Sequence, residues 1–439
     1  MSAFVMTAMT TGSEMNDEKF NFDLMDFIAL SPTPFHAVEG MIYKLECAGY
    51  RRIYEADSWQ LEPAQGYYVT RNDSSIIAFK LGEDPVSHGI NMVGAHTDSP
   101  CLKVKPEPDM FKKGYYQLGV EVYGGALLNP WFDRDLSLAG RVNYLDEDGE
   151  LDSVLINFED AVAIIPSLAI HLDRDANKSR SINSQTDIPP VLLKLPLSEK
   201  KNKPSFKDIL LHKIKDETGA IEVLDFELSF YDVQPPAYVG LHQDFIASAR
   251  LDNLLSCYVG LMAMTETSNS GSKLLVCTDH EEVGSASACG AQGPFLQSVL
   301  ERIAGNHENT VRMIDKSMMI SADNAHALHP NFADKHDGNH GPEINQGPVI
   351  KTNANQRYAT NSDTSAIFKQ LCKKADVPVQ SFVVRTDMAC GSTIGPITAS
   401  ETGVKTLDVG VPTFAMHSIR ELAGRWDAYY LFRVLKEFY

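Results

Sequence analysis

Three short segments, Ile90 to Ala95, Lys273 to Thr278 and Met318 to Ala322, are almost wholly apolar. Strands that show no polar alternation are buried on both faces, the situation of a sheet coated by helices on each side. Around them lie segments with helical apolar spacing: Phe22 to Gly49, interrupted by a turn at Ser31 to Pro34, then Arg250 to Thr267, Asp363 to Ala375 and Asp427 to Phe438. Further strand-like runs are Gly66 to Thr70, Ser75 to Lys80, Val379 to Val384 and Thr406 to Val409. Together they predict an α/β fold.

The stretch from about Lys103 to Leu241 has a different character. Alternating runs at Gly119 to Tyr123, Leu138 to Tyr144, Ser153 to Ile156 and Glu222 to Asp232, with frequent Gly and Pro, predict a mainly antiparallel β domain. Asp173 to Pro190 reads as a long polar surface loop, and Leu197 to Phe206 as a solvated lysine-rich run. At 439 residues the chain exceeds one ordinary core. The expected organisation is a discontinuous α/β domain over 17–100 and 245–439, interrupted by a β-rich insertion over 101–244. Residues 1–16 read as a disordered tail.

Composition narrows the function. Asp plus Glu number 58 against 39 Lys plus Arg, a formal charge of -19, which repels phosphate backbones and anionic lipid. Neither nucleic acid nor a membrane is therefore an expected partner. No apolar run is long enough to span a bilayer, and the first fifteen residues lack the basic region of a secretory signal. Seven cysteines without a CxxC pair read as reduced thiols of a cytoplasmic protein.

Five polar clusters carry the chemistry, several just after buried-type strands, where ligands gather in an open α/β sheet. His96 with Asp98 pairs a metal-binding imidazole with a carboxylate able to fix its geometry, although a hydrogen-bonded structural histidine is the more frequent explanation for such a residue alone. Asp252 opens a helix, where a plain N-cap is the ordinary explanation. In Glu281–Glu282 one carboxylate can hold a metal while the other accepts a proton. The remaining clusters surround Asp323, His326 and His329, and His417 with Glu421. Each has a bland reading, but five sets of oxygen and imidazole donors in one chain favour a metal site. Two histidines and three carboxylates suit a pair of zinc-type ions with one carboxylate shared.

The motifs GAHTDSP, RLDN, HEEVGS, SADNAHALHPNF and MHSIRE, with GGALLNPWFDRDLSLAGRV and GPVIKTNANQRYATN, resemble those of the M18 family, the aspartyl aminopeptidases. The resemblance runs from about Asp23 to Phe438. It implies a metallopeptidase α/β/α sandwich interrupted by a dimerisation domain, and a hydrolase that removes N-terminal Asp or Glu from peptides. It further implies two divalent ions, Zn²⁺ or alternatively Co²⁺ or Mn²⁺. His96 and Asp323 would hold one, Glu282 and His417 the other, and Asp252 would bridge them. Glu281 becomes the general base that takes a proton from the attacking water, and Asp98 orients His96.

By the same resemblance Lys351 would meet the acidic side chain of the substrate in the S1 pocket, with Tyr358 as its hydrogen-bonding partner. A solvated lysine is the competing reading. His171 matches a family histidine that reaches a neighbouring subunit's active site, against the alternative of a histidine packed in the β domain. The family's tetrahedral dodecamer implies a homo-oligomer. His280, His326 and His329 are read as packing or supporting residues, and Cys101 and Cys390 as inert. Two rival functions stand beside this one: a metallo-aminopeptidase for neutral residues, and a non-catalytic assembly or cargo protein on the same fold.

Overall fold

The structure is a computed structural model describing residues 16–195 and 203–439. The tail expected over residues 1–16 therefore falls almost entirely outside the described residues, as does most of the lysine-rich run that begins at Leu197. The described residues divide into two compact units, one of residues 23–100 with 235–439, the other of the described residues between 101 and 234 with those up to Phe22.

The first unit is built on a sheet of nine strands among the described residues. Its centre is four parallel strands in the order Lys273–Thr278, Asn91–His96, Met318–Ala322 and Lys405–Gly410. The hairpin of Gly66–Arg71 and Ser75–Lys80 extends one side antiparallel, and Val349–Lys351 with Gln380–Phe382 extends the other.

The apolar runs are buried on both faces, for a reason visible in their alternation. Met92, Leu274 and Val276 join Phe79 and Met319 under the helices Phe295–Ala304 and His307–Lys316, in one core with Phe295, Val299, Leu300 and Met313. Val93 and Leu275 point the other way, against the helix Leu251–Glu266. Gly260 allows this approach, because a Cβ there would stand 2.8 Å from Leu275 Cδ1 and 3.2 Å from Val93 Cγ1. The last helix, Asp427–Phe438, packs against Leu251–Glu266. Helices on both faces make the unit an α/β/α sandwich.

A smaller sheet of the same unit joins Ala237–Val239, Phe245–Ser248, Glu421–Gly424, Pro412–Phe414 and Ala325–His326. Because Ala237–Val239 pairs antiparallel with Phe245–Ser248, residues 235–244 stand with this unit, not with the insertion expected to reach 244.

The second unit carries a six-stranded sheet in the order Leu151–Asn157, Leu136–Leu145, Glu222–Asp232, Cys101–Lys112, Tyr115–Tyr123 and Val191–Lys194, every pairing antiparallel. The helix Phe206–Thr218 buries Phe206, Leu210 and Ile214, and Phe206 meets Phe226 edge to face at 5.3 Å. Among the described residues no helix is long and apolar enough to cross a membrane.

Candidate metal centre

Three parallel strands of the nine-stranded sheet end side by side. His96 closes Asn91–His96 and lies opposite Thr278, the last residue of its neighbour. After Thr278 the chain turns through His280, whose φ is +66°, into a short 3-10 turn at Glu281–Val283. Asp323 follows Met318–Ala322 directly. Asp252 lies at the start of Leu251–Glu266, after Arg250 at φ +58°. His417 occupies a turn with φ +67°, between Pro412–Phe414 and Glu421–Gly424.

These side chains converge. His96 Nε2 lies 3.4 Å from Asp252 Oδ1, 3.7 Å from Asp323 Oδ1 and 3.9 Å from Glu281 Oε2. His417 Nε2 lies 3.5 Å from Asp252 Oδ2 and 3.3 Å from Glu282 Oε2. The two oxygens of Asp252 thus face different histidines. An N-cap reading does not hold for this residue, whose carboxylate is directed at the imidazoles.

Two further carboxylates hold the arrangement from behind. Asp98 accepts the backbone N–H of Glu281 at 3.1 Å and that of Glu282 at 3.0 Å, and it also lies 3.3 Å from His96 Nδ1. Glu421 accepts the N–H of Asp252 at 2.9 Å and that of His417 at 2.8 Å. Asp98 was expected beside His96. Its support of the Glu281 turn was not, and Glu421 was named in the sequence only as a neighbour of His417.

The electrostatics follow from burial. It would depress the His96 imidazolium, yet Glu281, Asp252, Asp323 and Asp98 hold that pKa well above the ordinary value. Burial also opposes charge on Asp252, but the imidazoles of His417 and His96, close to its two oxygens, keep its carboxyl far below the usual range. Burial pushes Glu281 up to about 7, His96 opposing and Asp323 adding. It pushes Glu282 up to about 11, with Asp252 contributing next. Such a concentration of buried carboxylates calls for a cation. Buried Asp252 Oδ1 and Glu282 Oε1 have no hydrogen-bond partner, so both have lone pairs to give a metal. Close-set donor triads are His96–Asp252–Asp323, Asp252–Glu282–His417 and His96–Glu281–Glu282.

Lys351 and Tyr358 stand beside this cluster. Lys351 is only 2% exposed; its Nζ lies 3.3 Å from Asp323 Oδ2, donates to the Asn324 carbonyl at 3.1 Å, and sits 5.2 Å from the centroid of the Tyr358 ring. The competing picture of a solvated lysine is excluded. His171 belongs to the other unit, in an exposed stretch with Leu168, Ile170 and Leu172.

Carboxylates and imidazoles gathered at the carboxyl ends of parallel strands, inside an α/β/α sandwich, have the character of a metal-dependent hydrolase centre. The family model described as aminopeptidase I zinc metalloprotease (M18) matches residues 27–439, and the chain belongs to that family of zinc aminopeptidases. A protein of Ectopseudomonas mendocina named as a probable M18 family aminopeptidase 2 is 61% identical over 419 residues, covering 95% of this chain and 97% of its own. Among solved structures, the chain matched in the cryo-EM structure of the Ape4 and Nbr1 complex superposes with a TM-score of 0.92 at 40% identity, covering 96% of this chain and 85% of that one. A chain of the S. cerevisiae mApe1 dodecamer superposes with a TM-score of 0.83 at 28% identity, covering 97% of each.

Proposed function

We propose that this M18 aminopeptidase carries two divalent metal ions and releases N-terminal Asp and Glu from peptides. The observation that carries the reading is Asp252, shared between two donor triads that each contain a histidine and a second carboxylate. His96 and Asp323 would hold one ion, Glu282 and His417 the other, with Asp252 between them. Zn²⁺ fits such donors, and Co²⁺ and Mn²⁺ are accepted by the same set. Bound there, the ions supply Lewis acidity and make water available as a nucleophile near neutral pH.

The residues of the chain divide the remaining work. Glu281, with 15% of its side chain exposed, is the general base: it takes one proton from the attacking water and returns it to the departing amine. Asp98 keeps Glu281 and Glu282 aimed through their backbone N–H groups, and Glu421 does the same for Asp252 and His417. Lys351 receives the substrate carboxylate, with Tyr358 under its ammonium group. In this reading the unit of 23–100 and 235–439 is catalytic and the unit of 101–234 pairs subunits. The chain assembles as a cytoplasmic homo-dodecamer, as mApe1 does, and His171 reaches the oxyanion in a neighbouring copy.

One observation favours a second reading. Lys351 already has Asp323 as a counter-charge, so its attraction for an acidic substrate is reduced and neutral residues could be preferred. Hydrolysis of Asp-, Glu-, Leu- and Ala-reporter amides, with chelation and metal repletion, separates the two. Metal-dependent cleavage confined to Asp and Glu supports the first, and cleavage led by Leu or Ala supports the second.

A further inference from the structure

A second group of metal-binding side chains lies one residue away from Glu281, and the aminopeptidase reading makes no use of it. Asp279, His280 and Cys289 each offer one donor atom within 4.8 Å of the other two. His280 Nδ1 lies 3.5 Å from Cys289 Sγ, and His280 Nε2 lies 3.5 Å from Asp279 Oδ2. A tetrahedral zinc ion with bonds of about 2.3 Å to sulfur and about 2.0 Å to nitrogen sets those two ligands about 3.5 Å apart. The spacing of imidazole Nδ1 and thiol matches that value. Asp279 Oδ2 faces the other ring nitrogen, Nε2, so its carboxylate must turn to share a centre with Nδ1 and Sγ, within the 4.8 Å that one donor from each residue spans.

The backbone holds these donors together. Ser75 Oγ donates to the Cys289 carbonyl at 2.9 Å and accepts the Asp279 N–H at 2.8 Å, so one hydroxyl ties the two segments. Ser287 Oγ lies 2.8 Å from His280 Nδ1 and 3.6 Å from Cys289 Sγ, and it accepts the Gly290 N–H at 2.9 Å. Asp279 and Cys289 are buried, while a quarter of the His280 side chain is exposed and gives an ion a way in.

We propose that Asp279, His280 and Cys289 form an accessory site for a thiophilic divalent cation of the zinc class, distinct from the cluster around Asp252. A thiolate, an imidazole and a carboxylate leave a fourth position for water and select zinc, cobalt or cadmium over magnesium or calcium. An ion held there cross-links the turn bearing Glu281 and Glu282 to the segment carrying Cys289.

The test uses cobalt, because no sulfur lies among the donors of the Asp252 cluster. Full-length protein stripped by chelation and refilled with Co²⁺ should show a sulfur-to-cobalt charge-transfer band. Cys289→Ser should lose that band and one cobalt ion per chain, while reporter hydrolysis persists. Absence of the band in a cobalt-loaded wild type, or its retention in Cys289→Ser, overturns the proposal. Should the variant not fold, alkylation of the wild type decides: bound Zn²⁺ should shield Cys289 from iodoacetamide in a peptide map, and equal labelling with and without metal overturns the site. A wild type with the band but no aminopeptidase activity would sink the proposed function and leave this inference standing.

Discussion

The ammonium nitrogen of Lys351 lies 3.3 Å from Oδ2 of Asp323, so the residue assigned to substrate selection also touches a residue assigned to metal binding. Removing the lysine should therefore have two separable effects. Lys351→Ala should raise KM for Asp substrates about tenfold or more, the loss of one charge-assisted contact. Its effect on Leu substrates should be confined to kcat, through a less constrained Asp323. Equal rises in KM for both substrates would remove Lys351 from the pocket.

Glu281→Gln keeps the shape of the side chain and the backbone N–H that Asp98 accepts. It should lower kcat by about 10²- to 10⁴-fold, the usual worth of a positioned general base, with metal content unchanged. Loss of metal on elemental analysis would make Glu281 a ligand instead.

Glu421 is buried and bonded to two backbone N–H groups, and burial raises its pKa to about 8, with Asp252 adding to the shift. Glu421→Gln can accept only one of those two bonds and turns an amide donor toward the other. Metal affinity should fall about 10- to 100-fold, as for other residues that hold ligands in place. Competition with a chromogenic chelator measures it, and unchanged affinity would make Glu421 a bystander.

His171→Phe should lower kcat about a hundredfold in a verified oligomer, the cost of one oxyanion donor. Because His171 is exposed, thermal stability should not change. Full activity in the assembled variant would end its role across subunits.

Burial lowers the pKa of His36 from 6.5 to about 4, with Arg250 contributing, and its Nδ1 lies 2.8 Å from Thr33 Oγ1. The unfolded chain takes up a proton on this residue as pH falls below 6.5, and the folded chain does not until about 4. Its contribution is thus fully present above pH 6.5 and is lost as pH falls toward 4, by at most about 3 kcal/mol. Urea unfolding across this range should show a shallower decline in His36→Gln. Parallel curves for variant and wild type would show that His36 has no part in it.

The parts legible in the sequence were those decided by local pattern. Ile90 to Ala95, Lys273 to Thr278 and Met318 to Ala322 show their double burial in their own letters, and the polar residues at their ends follow from that. Glu421 was not legible as a support, since one of its bonds reaches a backbone N–H 169 positions away. Cys289 meets His280 only nine positions away, but through a turn whose course its letters do not show. The strand Cys101–Lys112 carries Lys, Glu and Pro that obscure its alternation. The helix Phe206–Thr218 buries only Phe206, Leu210 and Ile214, a stripe too narrow to stand out among its charges. By contrast, Phe295–Ala304 has readable helical spacing in Phe295, Leu296, Val299 and Leu300 that the sequence reading does not include.

The six-stranded unit interrupts the chain between Ser99 and Asp252, whose side chain and backbone meet although they are 153 positions apart. His96 and Asp98 are therefore synthesised long before Asp252, Glu281, Glu282 and Asp323, which they meet in the fold. Closing so large a loop is entropically costly, and contacts of this range form late in folding. A nascent chain that stops short of His417 lacks its imidazole and both bonds of the brace from Glu421. The two halves of the cluster are therefore joined only once the chain has been made through Glu421.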